Sequence, residues 1–263
     1  MRSALTLVLG TSLIFSLGAC RDDETDPPTG DGPAVTQDGG GGGDIPTGTA
    51  TSIADIKTGV VAAGQSVVLK DVVVTAVDTF GDYSGHVYVQ DAAGGPNSGL
   101  VVFAPELAGG GLVSDLKVGN TVDVAGVVEH WAGPTSSPFN DNKVVIQIGL
   151  GATVTNKGLG TPLPATEVSV ATLKDATEAA KYEGVLVKIR AAKVTDPLSV
   201  EYGEFRVLGG LNVDDELYLH ESVQVGDCYD ITGVLIYFYF HKLAPRDATD
   251  MAANAGGCVA KEV

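Results

Sequence analysis

From Lys181 to Asp196 the chain reads KYEGVLVKIRAAKVTD, and Val185, Val187 and Ile189 alternate there with Leu186, Lys188 and Arg190. A period of two predicts a half-buried strand. YGEFRVLG (Tyr202 to Gly209), ELYLH (Glu216 to His220) and the β-branched and aromatic run CYDITGVLIYFYFHKLAPRD continue the pattern. An earlier stretch matches in order: SVVLKDVVVTAVD (Ser66 to Asp78), HVYVQD (His86 to Asp91), LVVFA (Leu100 to Ala104), TVDVAGVVEHW (Thr121 to Trp131) and KVVIQI (Lys143 to Ile148). The connectors APELAGGGLVSDLK and LHESVQ each have room for one helical turn at most.

The two series share a phrase, VGNTVDVAGVV (Val118 to Val128) and VGDCYDITGVL (Val225 to Leu235). Five strands, the first long, with a short connector before such a Val-Gly strand, resemble the OB-fold, a small Greek-key barrel. Gly119 and Gly226 suit the turn into strand four, and Gly126 and Gly233 suit a bulge or tight bend within it. The expected fold is all-β: two tandem five-stranded OB-fold-like barrels, residues 50–162 and 163–263, the second with a C-terminal tail. The competing reading is a single sandwich whose halves match by accident.

The second copy resembles something narrower. Tyr182-Glu183-Gly184 and the Leu-x-Pro-Arg-x-x-x-Asp pattern at Leu243 to Asp250 are similar to the OB-type accessory module preceding the catalytic domain of bacterial extracellular nucleases. The resemblance covers residues 162 to 251 and is weaker over 50 to 160. It implies a secreted accessory module. No nuclease domain is expected after it, and no counterpart of the family's catalytic residues is expected among these residues.

The chain's start bears on location. Arg2 precedes a short apolar run, Ala4 to Leu17, that ends in Leu17-Gly18-Ala19-Cys20. A run this short suits a signal peptide rather than a membrane span. The four residues resemble the bacterial lipobox, which implies cleavage after Ala19, acylation of Cys20 and a membrane partner through that lipid. Arg21 resembles the pattern permitting outer-membrane sorting, so the expected location is the outer membrane, facing the periplasm or the cell surface. Residues 20–49, rich in Asp, Gly and Pro, offer little to bury and predict a flexible tether.

The net charge is −17. Nonspecific nucleic-acid binding needs cations for the phosphates, so this balance disfavours it. No Gly-x-Ser-x-Gly, His-Glu-x-x-His, Cys-x-x-Cys or Gly-x-x-x-x-Gly-Lys motif occurs, and neither catalysis nor a cofactor is expected. His86, His130, His220 and His241 fall on different predicted strands or strand ends, and solvent-facing histidines are weighed there against a two-histidine site across a barrel mouth. Asp214-Asp215-Glu216 matches no EF-hand spacing and reads as a solvated turn, so no metal is expected. Cys228 and Cys258, exported, are expected to form a disulfide.

OB-folds bind ligands across strands two and three. The ligand-binding candidates there are Tyr83, His86, Tyr88, Trp131 and Phe139, while Phe103 is expected to fill the barrel. WAGPTSSPFNDN, Trp131 to Asn142, is a long polar loop with almost no equivalent in the second copy. Any ligand is therefore expected on the first barrel; the alternative is that Trp131 packs on the neighbouring barrel and the loop is a spacer. Tyr237 to Phe240, four aromatics in a row, require two to point outward unless the strand turns there. The expected function is a lipid-anchored, non-catalytic binding module with a protein or glycan partner, the alternative an accessory protein for extracellular single-stranded nucleic acid.

Overall fold

The computed structural model describes residues 48–79, 85–199, 202–220 and 222–258. Strand β1 (Thr49–Thr51) and helix α1 (Ile53–Lys57) lead into β2 (Ser66–Val77), β3 (Val87–Gln90), β4 (Gly99–Val102), β5 (Glu106–Leu107), β6 (Asn120–Trp131), β7 (Val145–Ile148) and β8 (Thr153–Leu159). Hydrogen bonding runs β2-β3-β4-β7-β6 and returns from β6 to β2, which closes a barrel. All its pairings are antiparallel except β4 with β7. β8 adds to the flank of β6, an element absent from the strand pattern read above.

The second half repeats the circuit. β9 (Thr166–Glu167) and helices α2 (Val170–Lys174) and α3 (Ala176–Ala180) precede β10 (Leu186–Asp196), β11 (Phe205–Val207), β12 (Asn212–Val213), β13 (Cys228–Phe238), β14 (Phe240–Ala244) and β15 (Met251–Ala253). The ring is β10-β11-β12-β14-β13-β10, again with one parallel pair, β12 with β14. Two closed five-stranded OB-like barrels therefore stand in tandem.

Each barrel buries one face of its alternating strands. The first core holds Leu69, Val74, Val89, Leu100 and Ile148, joined by Ile53 and Ile56 of α1. The second holds Val187, Ile189, Phe205, Ile231 and Leu243, joined by Leu173 of α2 and Ala179 of α3. The helical turns before each first strand were not apparent in the sequence pattern.

The shared phrase has a physical reason at each fixed position. Gly119 and Gly226 have φ of 92° and 98°, a left-handed turn that favours glycine. Gly126 and Gly233 mark no bulge. They give room to strand five: a Cβ on Gly126 would lie 2.4 Å from Ile148 Cγ2, and one on Gly233 2.6 Å from the Ala244 carbonyl oxygen. The bulge lies across the ladder, in the long first strand, where Asp71 and Ala191 have φ of 56° and 48° and the registers shift. Each bulge is pinned by the aspartate of the phrase. The Asp71 N–H donates to Asp123 Oδ1 at 3.0 Å and the Ala191 N–H to Asp230 Oδ1 at 2.9 Å.

Cys228, opening β13, is bonded to Cys258 in the tail, their Cα atoms 5.4 Å apart. Among the described residues no helix is long and apolar enough to cross a membrane.

Candidate binding cleft

The barrels meet backbone to backbone. A Cβ on Gly99, which opens β4, would lie 2.3 Å from the Gly184 carbonyl. Around this contact the Asn97 N–H donates to the Lys181 carbonyl at 2.6 Å and the Leu186 N–H to Gln90 Oε1 at 2.9 Å. A shared apolar cluster joins Ala76 and Tyr88 of the first barrel to Leu186, Leu217, Val234 and Ala244 of the second. Arg246, held by Asp250 through Nε and Nη2, donates from Nη1 to the Thr75 carbonyl at 3.1 Å.

Glu183 is the ionic centre of the junction. It is buried, takes His241 Nε2 at 2.7 Å and Lys143 Nζ at 2.5 Å, and has Lys57 Nζ at 3.6 Å. Burial alone would push its carboxyl up, but His241, Lys57 and Lys143 hold it below the ordinary glutamate value. Burial lowers the Lys57 ammonium: Glu183 supports its charge while Lys143 opposes it, because several cations share one carboxylate.

The long loop after β6 does not stand over an open mouth. Phe139 is 6% exposed and sits edge-on to Trp131, Tyr237, Phe238 and Tyr239, with ring centroids 5.1 to 5.9 Å apart. The Tyr239 hydroxyl donates to the Ser137 carbonyl at 2.7 Å. The aromatic run turns at Tyr239, where φ is 61°, so three successive rings clasp the loop while Phe240 is exposed. Phe139 thus packs the junction rather than presenting a binding face.

Between the barrels lies a cleft of about 280 Å³. The first barrel contributes His86, Tyr88, Phe103 and Trp131. Phe103 therefore faces the cleft instead of filling the barrel core. Trp131 stacks on Phe238 across the junction, 6.4 Å between centroids at 21°. The exposed ring of Tyr202 also borders the cleft. Tyr83 and Cys20 lie outside the described residues.

The opposite wall is acidic. Asp214, Asp215, Glu216 and Glu204 line it, with Lys242 among them. Lys242 Nζ contacts Asp214 Oδ2 at 2.8 Å and also Glu204. Burial opposes its charge, but those carboxylates hold the ammonium above its ordinary value. Burial, then the negative charges of Asp78 and Asp214, push the Glu216 carboxyl up to about 7. Burial and the same carboxylates, Glu216 first, raise the Tyr88 hydroxyl well above its ordinary value, so it remains a hydrogen-bond donor. The expected solvated turn at Asp214-Asp215-Glu216 is instead partly buried: Asp214 is 6% exposed.

The histidines separate by role. His130 is exposed. His220 Nε2 meets the Asp214 carbonyl at 2.9 Å, and burial lowers its pKa. His241 serves Glu183, and His86 faces Asp78.

Aromatic faces opposite carboxylates suit a ligand with a flat apolar side and outward hydroxyl or ammonium donors. The same carboxylates repel phosphate. No protein-family model, curated protein or solved structure matches the chain.

Proposed function

We propose that the protein is a lipid-anchored, non-catalytic binding protein of the bacterial cell envelope, and that its cleft holds the end of a glycan. The observation that carries this reading is the pairing of Phe103, Trp131 and Phe238 with a carboxylate wall in one inter-barrel cleft. Sugar rings stack an apolar face on aromatics and donate hydroxyls to carboxylates. A cleft of about 280 Å³ is at the small end for ligand sites, which suits one or two sugar rings rather than a polymer lying along a groove.

The nucleic-acid alternative fares worse. The strand two and three face on which OB-folds take single strands is β3 and β4 here. Their Tyr88 and Val101 face the junction with the second barrel, and the remaining opening is acidic. The anchoring half of the proposal rests on Leu17-Gly18-Ala19-Cys20; Cys20→Ser is expected to abolish palmitate labelling, and label persisting in that variant would refute it. The ligand half is tested by screening lipid-free protein against neutral and amino-sugar oligosaccharides and single-stranded oligonucleotides at low salt. Binding to oligonucleotides alone would overturn the glycan reading.

A further inference from the structure

Asp78 follows the last residue of β2, His86 precedes β3, and Glu216 lies between β12 and β13. Two barrels therefore deliver these side chains to one point. One ligand-capable atom of each lies within 4.8 Å of the other two. His86 Nδ1 and Asp78 Oδ2 are 3.5 Å apart, with the Asp78 side chain 0% and the His86 side chain 12% exposed.

Each group is fixed by its surroundings. The Asp78 N–H donates to the His86 carbonyl at 2.8 Å, and the Gly85 N–H to the Asp78 carbonyl at 2.7 Å. The His86 ring sits edge-on to Phe103, 4.8 Å between centroids. The Glu216 N–H donates to Asp214 Oδ1 at 2.8 Å. Asp78 and Asp214 bring negative charge to Glu216, while His86 and Lys242 act on it as cations, Lys242 being shared with Asp214 and Glu204. Buried carboxylates are costly unless a cation offsets them.

We propose that Asp78, His86 and Glu216 bind one divalent transition-metal ion across the barrel junction, with its remaining coordination positions open to the cleft. An imidazole nitrogen favours zinc or manganese over calcium, which takes oxygen ligands. Zinc ligands at about 2.0–2.2 Å from the ion stand roughly 3.5 Å apart. The Asp78–His86 pair already has that spacing, and a ligand atom of Glu216 lies within 4.8 Å of both. The inference holds whether or not the cleft takes a glycan.

The test is titration of metal-free, lipid-free protein with zinc chloride, followed by calorimetry and thermal melting, with cobalt absorption as a coordination probe. One zinc per chain is expected, with a raised melting temperature. His86→Ala and Glu216→Gln should each weaken binding roughly tenfold or more, the scale on which even outer-shell changes act, and alter the cobalt spectrum. Substitution of the exposed His130 (His130→Ala) should change nothing. Glu216→Gln preserves shape, so a fold defect in His86→Ala would leave the test intact. Absence of saturable zinc uptake, or uptake unchanged in both variants, would overturn the proposal.

Discussion

Gly99→Ala tests whether the barrels are joined as described. Gly99 has no positive φ, so alanine costs nothing in backbone conformation, and the effect is steric. Its Cβ would lie 2.3 Å from the Gly184 carbonyl carbon and oxygen and 2.4 Å from the Val185 nitrogen, about 1 Å short of ordinary contact. Those atoms are backbone, fixed by the Gly184 N–H to Leu235 carbonyl bond at 2.8 Å and the Leu235 N–H to Val185 carbonyl bond at 3.1 Å. The junction must open. Overpacking costs about 1–3 kcal/mol, and the loss of glycine's freedom in the unfolded chain returns about 0.4–1 kcal/mol. A net cost of about 1–1.5 kcal/mol lowers Tm by roughly 3–5 °C in a domain of this size. Gly64→Ala separates the two causes, because its Cβ meets nothing within 4 Å and its φ is +84°; its expected loss of about 1–2 kcal/mol comes from left-handed strain alone. Differential scanning calorimetry reads both. A Gly99→Ala protein melting within about 1 °C of the parent would refute the backbone contact.

Other consequences follow from the ion pairs and the disulfide. Glu183→Gln leaves Lys57 and Lys143 without their buried carboxylate and should cost about 3–5 kcal/mol in urea unfolding; a loss under 1 kcal/mol would contradict the role of Glu183. Burial would raise Asp123, but Lys157, Lys70 and the Asp71 N–H hold it at about 2 against an ordinary 3.8. Its folded value is the lower one, so its contribution is complete above about pH 4 and disappears as pH falls towards 2. Discounted for solvent, about 1–2 kcal/mol separating the parent from Asp123→Asn at pH 5 should shrink steadily and be mostly gone at pH 2, and parallel pH–stability curves would refute this. Cys228→Ser with Cys258→Ser removes a link of sequence separation 30, worth about 2–4 kcal/mol; unreduced protein that alkylates at both cysteines would show the link does not form.

The barrels were legible because their signal is local. Alternation in Val185 to Ile189 and the phrase at Val118 and Val225 report strand faces and turns, which depend on neighbours in sequence. Gly126 and Gly233 were read as bends because a close approach by another strand leaves the same mark as a bulge. Asp123 and Asp230 went unread as bulge pins, although the repeat kept both, because their partners Asp71 and Ala191 sit on another strand. The cleft was half visible. His86, Tyr88 and Trp131 came from the first barrel's own pattern, whereas Glu216, Glu204 and Lys242 belong to the second and meet them only through the packing of Gly99 on Gly184. The Tyr-Glu-Gly and Leu-x-Pro-Arg-x-x-x-Asp residues also explain themselves only in three dimensions. Glu183, Gly184 and Arg246 all touch the other barrel.

Trp131 is the one tryptophan of the chain, and its indole lines the cleft against Phe238. A ligand seated there must change its emission. Titrating lipid-free protein with the oligosaccharide selected by screening should give a saturable fluorescence change whose midpoint equals the calorimetric Kd. Phe238→Ala should weaken that midpoint by roughly ten- to a hundredfold, the scale of one lost stacking contact of about 1–3 kcal/mol. Calorimetric binding that leaves Trp131 emission unchanged, with full affinity in Phe238→Ala, would place the ligand elsewhere and contradict the inter-barrel site.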